Sequence, residues 1–225
     1  HRMYRFEYKN YKLQRVSHVN SLGTIIPDTE SERYERPIDI MFYYNDDNHL
    51  SRAKVMDNNG QVLYIKSYNE KLNTVIFQFN DEYGTEKTIG SETVGYVDAF
   101  ASNQNRGKIS RYLLEYDENG YIKTLRYAGF QNIYVSDSHG IYGKQYVRDD
   151  KGRVIEEMYL AYDGSPKATK WGMGKKLFYY DENDNWIKSV YQTIDGQPSL
   201  DDTEGTGICE NVYDEYGNSV AQYFK

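Results

Sequence analysis

Along the second half of the chain, short apolar-rich runs alternate with polar clusters that end in Asn-Gly, Lys-Gly, Asp-Asn or Tyr-Gly. Counting from the turn glycine or its equivalent, the third position is Lys123, Ile155, Ile187 and Val220, and the seventh is Tyr127, Tyr159, Tyr191 and Phe224. Those positions differ by four, an even number, so on a strand they lie on one face. Glycine and asparagine at the turns permit the positive φ angles of tight hairpins. The pattern therefore predicts β-hairpins in which equivalent aromatic rings line a shared core face.

The hairpins repeat. Tyr116-Asp117-Glu118-Asn119-Gly120, Tyr180-Asp181-Glu182-Asn183-Asp184 and Tyr213-Asp214-Glu215-Tyr216-Gly217 share one turn, and Arg148-Asp149-Asp150-Lys151-Gly152 is a copy without the aromatic. With looser copies upstream, units start near 8, 44, 79, 116, 148, 180 and 213, a period of 32 to 37 residues. Two further landmarks share that period: Asp163-Gly164-Ser165-Pro166 with Asp195-Gly196-Gln197-Pro198, and the glycines Gly140, Gly172 and Gly205. A fixed period of this size marks a repeat architecture. The expectation is one all-β repeat domain over 1–225, six units and a truncated seventh, forming an elongated or spiral sheet of antiparallel hairpins within a longer protein. Turns are expected at Asn58–Gly60, Asp81–Gly84, Asn119–Gly120, Lys151–Gly152, Asn183–Asn185 and Tyr216–Gly217. Helical arrays of similar period need Ala-rich crossings, and Ala is sparse here; short helices near Ala99–Arg106 or Lys167–Lys170 are the most a unit could hold.

Composition changes one part of this picture. The hydrophobic fraction of 39% includes 25 Tyr, so aliphatic side chains alone make a lean core and tyrosine must supply much of the burial. A formal charge of −7 and a pI near 5.2 argue against general affinity for nucleic acid or anionic membrane. One cysteine, Cys209, makes neither an internal disulfide nor a cysteine metal site. No apolar run is long enough to span a bilayer, so the chain is expected to be soluble, in the cytoplasm or at a cell surface.

The stretches Glu115-Tyr116-Asp117-Glu118-Asn119-Gly120-Tyr121-Ile122, Asp150-Lys151-Gly152-Arg153-Val154 and Val212-Tyr213-Asp214-Glu215-Tyr216-Gly217-Asn218 resemble the Tyr-Asp repeats of bacterial Rhs and teneurin-type proteins. The chain departs from that family in its longer period and in the added Asp-Gly-x-Pro element, which is similar to a looser group of bacterial repeats. The resemblance implies hairpin arrays serving as shells, spacers or binding modules, and it carries over no catalytic residue.

Patterns that carry chemistry are few. His1, His18, His49 and His139 are isolated and lack zinc-site spacing. Gly172-Met173-Gly174 and Gly205-Thr206-Gly207 lack the Lys of a phosphate loop and read as chain bends. Asp181-Glu182-Asn183-Asp184-Asn185 alternates oxygen side chains as a calcium loop does, but Trp186 and Gln192 stand where such a loop needs Gly and Glu. No catalytic, cofactor or metal residue is assigned. Trp171, before the Gly172 bend, and Trp186, opening a strand, are the candidate ligand contacts, with core packing as the competing role for Trp186.

Three functions fit these residues. The preferred one is a non-catalytic module for protein interaction or scaffolding, binding a partner or a neighbouring domain through the unequal connections 28–36, 86–106, 133–144 and 199–207. The second is an extracellular glycan- or cell-wall-binding repeat, suggested by the aromatic load. The third is a glycosidase-type enzyme, which needs a carboxylate pair facing a cleft.

Overall fold

The structure, a computed structural model, describes residues 3–25, 39–56, 60, 62–80, 85–86, 109–200 and 205–225. They are all-β: β1 (Met3–Lys9), β2 (Lys12–Val19), β3 (Asp39–Tyr44), β4 (Leu50–Met56), β5 (Val62–Asn69), β6 (Thr74–Phe79), β7 (Arg111–Tyr116), β8 (Ile122–Ala128), β9 (Gly143–Arg148), β10 (Val154–Tyr159), β11 (Lys175–Tyr180), β12 (Trp186–Gln192), β13 (Ile208–Tyr213) and β14 (Ser219–Phe224). Strands neighbour one another in chain order in a single antiparallel sheet, the hairpin array the sequence predicts. The helical content described is two single 3-10 turns, Glu70–Leu72 and Phe130–Asn132. Residues 167–170 are not helical, because the Lys167 N–H pairs with Tyr159 O and the Thr169 N–H with Met173 O, which holds the segment first extended and then turned. The 99–106 segment lies outside the described residues.

The expected turns at 119–120, 151–152, 183–185 and 216–217 all form, and they share one construction. The first residue's N–H donates to the fifth residue's carbonyl, and the fourth residue's N–H donates back to the first carbonyl, at Asp117, Asp149, Asp181 and Asp214 alike. The aspartate Oδ1 accepts from the third and fifth N–H groups, so one side chain satisfies two backbone donors that strand pairing leaves over. The fourth position sits at φ of 81°, 83° and 81° in Gly120, Gly152 and Gly217, and Asp184 takes it at 67° without a glycine. The same backbone turn recurs at Ala161 and Thr193, twelve residues after Asp149 and Asp181, and at Asp137 and Thr169, twenty residues after Asp117 and Asp149. A unit thus holds three copies of one turn. Upstream, β5 and β6 turn over at Glu70–Leu72, ahead of the start expected near 79; residues 57–59 and 81–84, where turns were expected, lie outside the described residues.

Contacts gather the chain into two compact units, His1–Glu115 with Tyr127–Val135, and Tyr116–Arg126 with Ser136–Lys225. In the first, an aromatic series builds the core: Tyr64 meets Phe79 at 6.1 Å, Phe79 meets Tyr112 edge-on at 5.8 Å, and Tyr112 meets Tyr127 at 5.9 Å. This is the burial that a leucine-poor sequence needs. In the second, Leu125, Ile141, Leu160 and Met173 are buried with Tyr159.

The recurring seventh-position aromatic is not uniformly buried. Tyr127 and Tyr159 are 0% and 5% exposed, Tyr191 is half-buried and Phe224 is 50% exposed. Nor do Tyr159 and Tyr191 face their neighbours as a bare ring stack, because a lysine of the preceding strand lies over each: Lys144 Nζ is 5.8 Å from the Tyr159 centroid and Lys176 Nζ 4.9 Å from that of Tyr191.

Candidate functional site

Between four of the hairpin pairs the ladder is short, while β4 and β5 and β6 and β7 pair over five residues each. β10 and β11 pair only over Glu156–Met158, β12 and β13 over Lys188–Val190, β8 and β9 over Thr124–Arg126, and β2 and β3 over Arg15–Ser17. Towards the Tyr-Asp turns the strands part, leaving a fork whose carbonyls lack ladder donors. The tyrosine of the motif closes it. Tyr44 Oη donates to Leu13 O at 2.9 Å, Tyr180 Oη to Val154 O at 2.8 Å, and Tyr213 Oη to Trp186 O at 2.9 Å. Where the motif has lost its aromatic, Arg148 Nη2 reaches the equivalent carbonyl of Ile122 at 3.4 Å. The recurring residue is therefore a donor strut, and burial pushes the Tyr180 hydroxyl pKa up.

Cations complete the closure. Arg153 bonds Asp149 at 2.7 Å within its turn and Asp184 of the next turn at 2.5 Å, and Lys151 reaches the same Asp184 oxygen at 2.7 Å. Hydrogen bonds from these cations hold the Asp149 and Asp184 carboxyls below the usual range. Asp181 accepts from Asn183 N, Asn185 N and Asn185 Nδ2, so the oxygen-rich turn weighed as a calcium loop spends these groups on its own backbone, side chains and neighbouring cations. Arg153 stacks on Tyr180 at 4.7 Å, Arg148 on Tyr121 at 5.0 Å and Lys12 on Tyr44 at 4.9 Å.

Trp186 belongs to this framework. Its Nε1 donates to Lys188 O at 2.9 Å, Phe178 lies 6.1 Å away, and its own carbonyl accepts from Tyr213 Oη and Asn211 Nδ2. Trp171 is placed differently. It occupies the third position of the Thr169–Met173 turn, 49% exposed, with the His139 ring edge-on at 5.4 Å and Lys170 Nζ 3.9 Å from its centroid. His139 holds the third position of the preceding turn of that kind, and the Lys170 N–H donates to His139 O.

Motif reading misses two features. One is an exposed apolar residue at the second position of the Asp-Gly-x-Pro turns, Tyr162 and Ile194 in the second unit, 57% and 42% exposed and 32 residues apart, with Phe130 of the first unit, 52% exposed, at the equivalent sequence position. Its signal is in the sequence, once the turn twelve residues after each Asp turn is recognised. The other is a half-buried polar cluster in which Lys144 Nζ meets Glu157 at 2.8 Å. Burial would lower the Lys144 pKa, but the Glu157 and Tyr146 charges more than offset it and raise it; Asp137 nearby is pushed up by burial. Nothing in the spacing of these residues marks them.

Of the expected contact loops, Asp28–Arg36 lies outside the described residues, as does all of Glu86–Arg106 except Glu86, whose carboxylate grips Arg111 at 2.6 Å and Ser110 at 2.6 Å. Cys209 is 4% exposed, with Gln222 Nε2 at 3.3 Å. Among the described residues no helix is long and apolar enough to cross a membrane, and no three His, Cys, Asp or Glu side chains are grouped to hold a metal ion.

No family model matches the chain, and no curated protein matches it. Among solved structures, it is similar to the Photorhabdus luminescens Tc holotoxin pore at 12% identity and a TM-score of 0.37, over 100% of this chain and 11% of the other. A crystal structure of TcdB2-TccC3 matches at 12% identity and a TM-score of 0.24, over 99% of this chain and 14% of the other. The chain thus spans little more than a tenth of the length of the structures it matches.

Proposed function

We propose that the chain is a non-catalytic hairpin-repeat module of the bacterial Tyr-Asp kind, which packs against a protein partner or a neighbouring domain of its own polypeptide. The observation that carries this reading is the row of exposed apolar side chains on the connecting turns. The tyrosines, aspartates and cations of the motif are taken up in closing the forks, whereas Tyr162 and Ile194 stand exposed at equivalent turns, with Trp171 and Leu200 exposed on the same series of connections. Large apolar groups repeated along one edge are what a protein contact uses, and tryptophan and tyrosine are its commonest anchors. The recognition elements therefore include a position that recurs, as well as the unequal connections.

Cysteine labelling tests this in the full-length polypeptide, since the native Cys209 is buried. Tyr162→Cys, Trp171→Cys and Ile194→Cys should react with a maleimide about tenfold more slowly in the full-length protein than in the isolated chain, the protection expected of a site inside an interface. Asn119→Cys, on the opposite edge, should react equally in both. Equal labelling of all four in the full-length protein, with and without candidate protein partners, would remove the reading.

A further inference from the structure

The four short ladders share one register. At each, the residue whose carbonyl accepts the strut is followed two, three and four positions later by the residues that pair, and these meet the residues three, four and five positions before the strut. Tyr180 donates to Val154 O, and Glu156, Glu157 and Met158 pair with Leu177, Lys176 and Lys175. The same spacing links Tyr213 to Trp186 O through Lys188–Val190 and Ile208–Glu210, Tyr44 to Leu13 O through Arg15–Ser17 and Asp39–Met41, and Arg148 to Ile122 O through Thr124–Arg126 and Gly143–Gln145. The acceptor also has a fixed place in its own hairpin: Leu13 lies across from Tyr8, Val154 from Arg148 and Trp186 from Tyr180.

Among the described residues β1 and β14 are the end strands of the sheet, each paired on one side only, and each carries one half of such a fork. Ser219 lies across from Tyr213 and so holds the acceptor position on β14. Tyr8 holds the strut position on β1, with its side chain 65% exposed. Both edges expose large apolar groups, Met3, Tyr4 and Phe6 on β1 and Val220, Tyr223 and Phe224 on β14, and an apolar strand edge is a template for pairing with another chain. Successive turns touch across a fork, as Arg153 touches Asp184 and Lys12 touches Asn48. The two end turns carry opposite charge, an exposed Lys9 beside Tyr8 and an exposed Glu215 beside Asp214.

We propose that β1 of one copy of this chain docks antiparallel on β14 of a second copy, head to tail, with Met3, Tyr4 and Arg5 opposite Tyr223, Gln222 and Ala221 and the Tyr8 hydroxyl donating to Ser219 O. This is the register of the four internal forks, so docking continues an interface the chain already makes with itself. It brings Val220 alongside Phe6 on one face of the joined sheet and sets Lys9 by the Asp214–Glu215 turn. An unrelated strand could pair with either edge but would match neither the strut nor the turn charge. Because the two edges differ, the contact is heterologous, and each assembly keeps a β1 and a β14 that add further copies or close a ring. Docking uses the end strands and not the exposed turns of the second unit, so its failure leaves the protein-contact reading untouched.

Oxidative cross-linking reads the register. A mixture of Met3→Cys chains and mass-tagged Tyr223→Cys chains should form a disulfide between unlike chains, since directly opposed residues hold their Cβ atoms about 4.5–5.5 Å apart. A mixture of Tyr4→Cys and Tyr223→Cys chains, whose side chains point to opposite faces of the joined sheet, should form about tenfold less. The native Cys209 is buried. Sedimentation equilibrium of the wild-type chain should show a mass above that of one copy at about 0.2 mM, as a small, weak interface gives. Tyr8→Phe and Lys9→Glu should each weaken association about fivefold, and high salt should shrink the effect of the second. Tyr180→Phe, at an internal fork, should leave association unchanged. The proposal is overturned if the chain stays a monomer at millimolar concentration, if the Tyr4 mixture cross-links as well as the Met3 mixture, if a chain carrying both Met3→Cys and Tyr223→Cys closes on itself in dilute solution, or if Tyr180→Phe weakens association as much as Tyr8→Phe.

Discussion

At the scale of the residue, the motif tyrosine and the seventh-position tyrosine do different work although both recur. Tyr180 reaches a carbonyl through its hydroxyl, while Tyr159 is a buried ring packed against Met173 and Lys144. Removing only the hydroxyl separates the two roles. Tyr180→Phe should cost about 1 kcal/mol, the net worth of one hydrogen bond whose acceptor loses its donor. Tyr159→Ala should cost about 3 kcal/mol, as large aromatic truncations in cores do. Urea unfolding of both variants checks the ordering, and equal losses would mean that the strut is worth as much as the core ring.

At the scale of the element, the Tyr-Asp turns were legible because their chemistry is local: an aspartate that caps two N–H groups and a left-handed fourth residue are both spelled within five positions. The third turn type was half legible. Gly140 and Gly172 stand out by period, but the first positions, Asp137 and Thr169, share no side chain that a pattern would catch. Lys144 and Glu157 were invisible, since a half-buried ion pair across β9 and β10 depends on register and leaves no trace in spacing. Trp186 was readable only as an alternative, because a ring opening a strand is exposed or packed according to what the next hairpin supplies. Close approach of strands is another property of register. A methyl group at Gly143 would overlap the Leu125 carbonyl and crowd Arg126, backbone atoms that cannot turn aside. Gly143→Ala should therefore destabilise the second unit by about 2 kcal/mol or more, in the range of steric overpacking. Gly120→Ala, with open space around its Cβ, meets only the backbone cost of φ 81°. Thermal unfolding of the two variants compares them.

At the scale of the whole molecule, the two units respond to pH through different groups. In the first, burial works against the ionised Asp39 and Glu86, but hydrogen bonds from Arg15 and Ser17, and from Arg111 and Ser110, prevail and hold both pKa values below the ordinary carboxylate range. Such groups stabilise the fold above their unfolded values of about 4, and that stability is lost as pH falls through the lower folded values. In the second unit Asp137 has the opposite sign: its raised pKa makes the ionised form a burden that protonation relieves. The Asp39→Asn/Glu86→Gln variant should start less stable at neutral pH and lose less than the wild-type chain between about pH 6 and pH 3. Denaturant titrations at several pH values, followed by probes in each unit, measure the difference. The short ladders between hairpins also bear on how such an array would yield to force. A pulled hairpin must shear its full ladder, whereas a fork such as that between β10 and β11 gives once a three-residue pairing, one strut and an ionic bridge let go. Extension would then proceed in steps of whole hairpins, and among the three-residue seams the strength of each step would be written in the side chains at its fork, with Tyr180 and the Arg153–Asp184 bridge reinforcing the seam between β10 and β11.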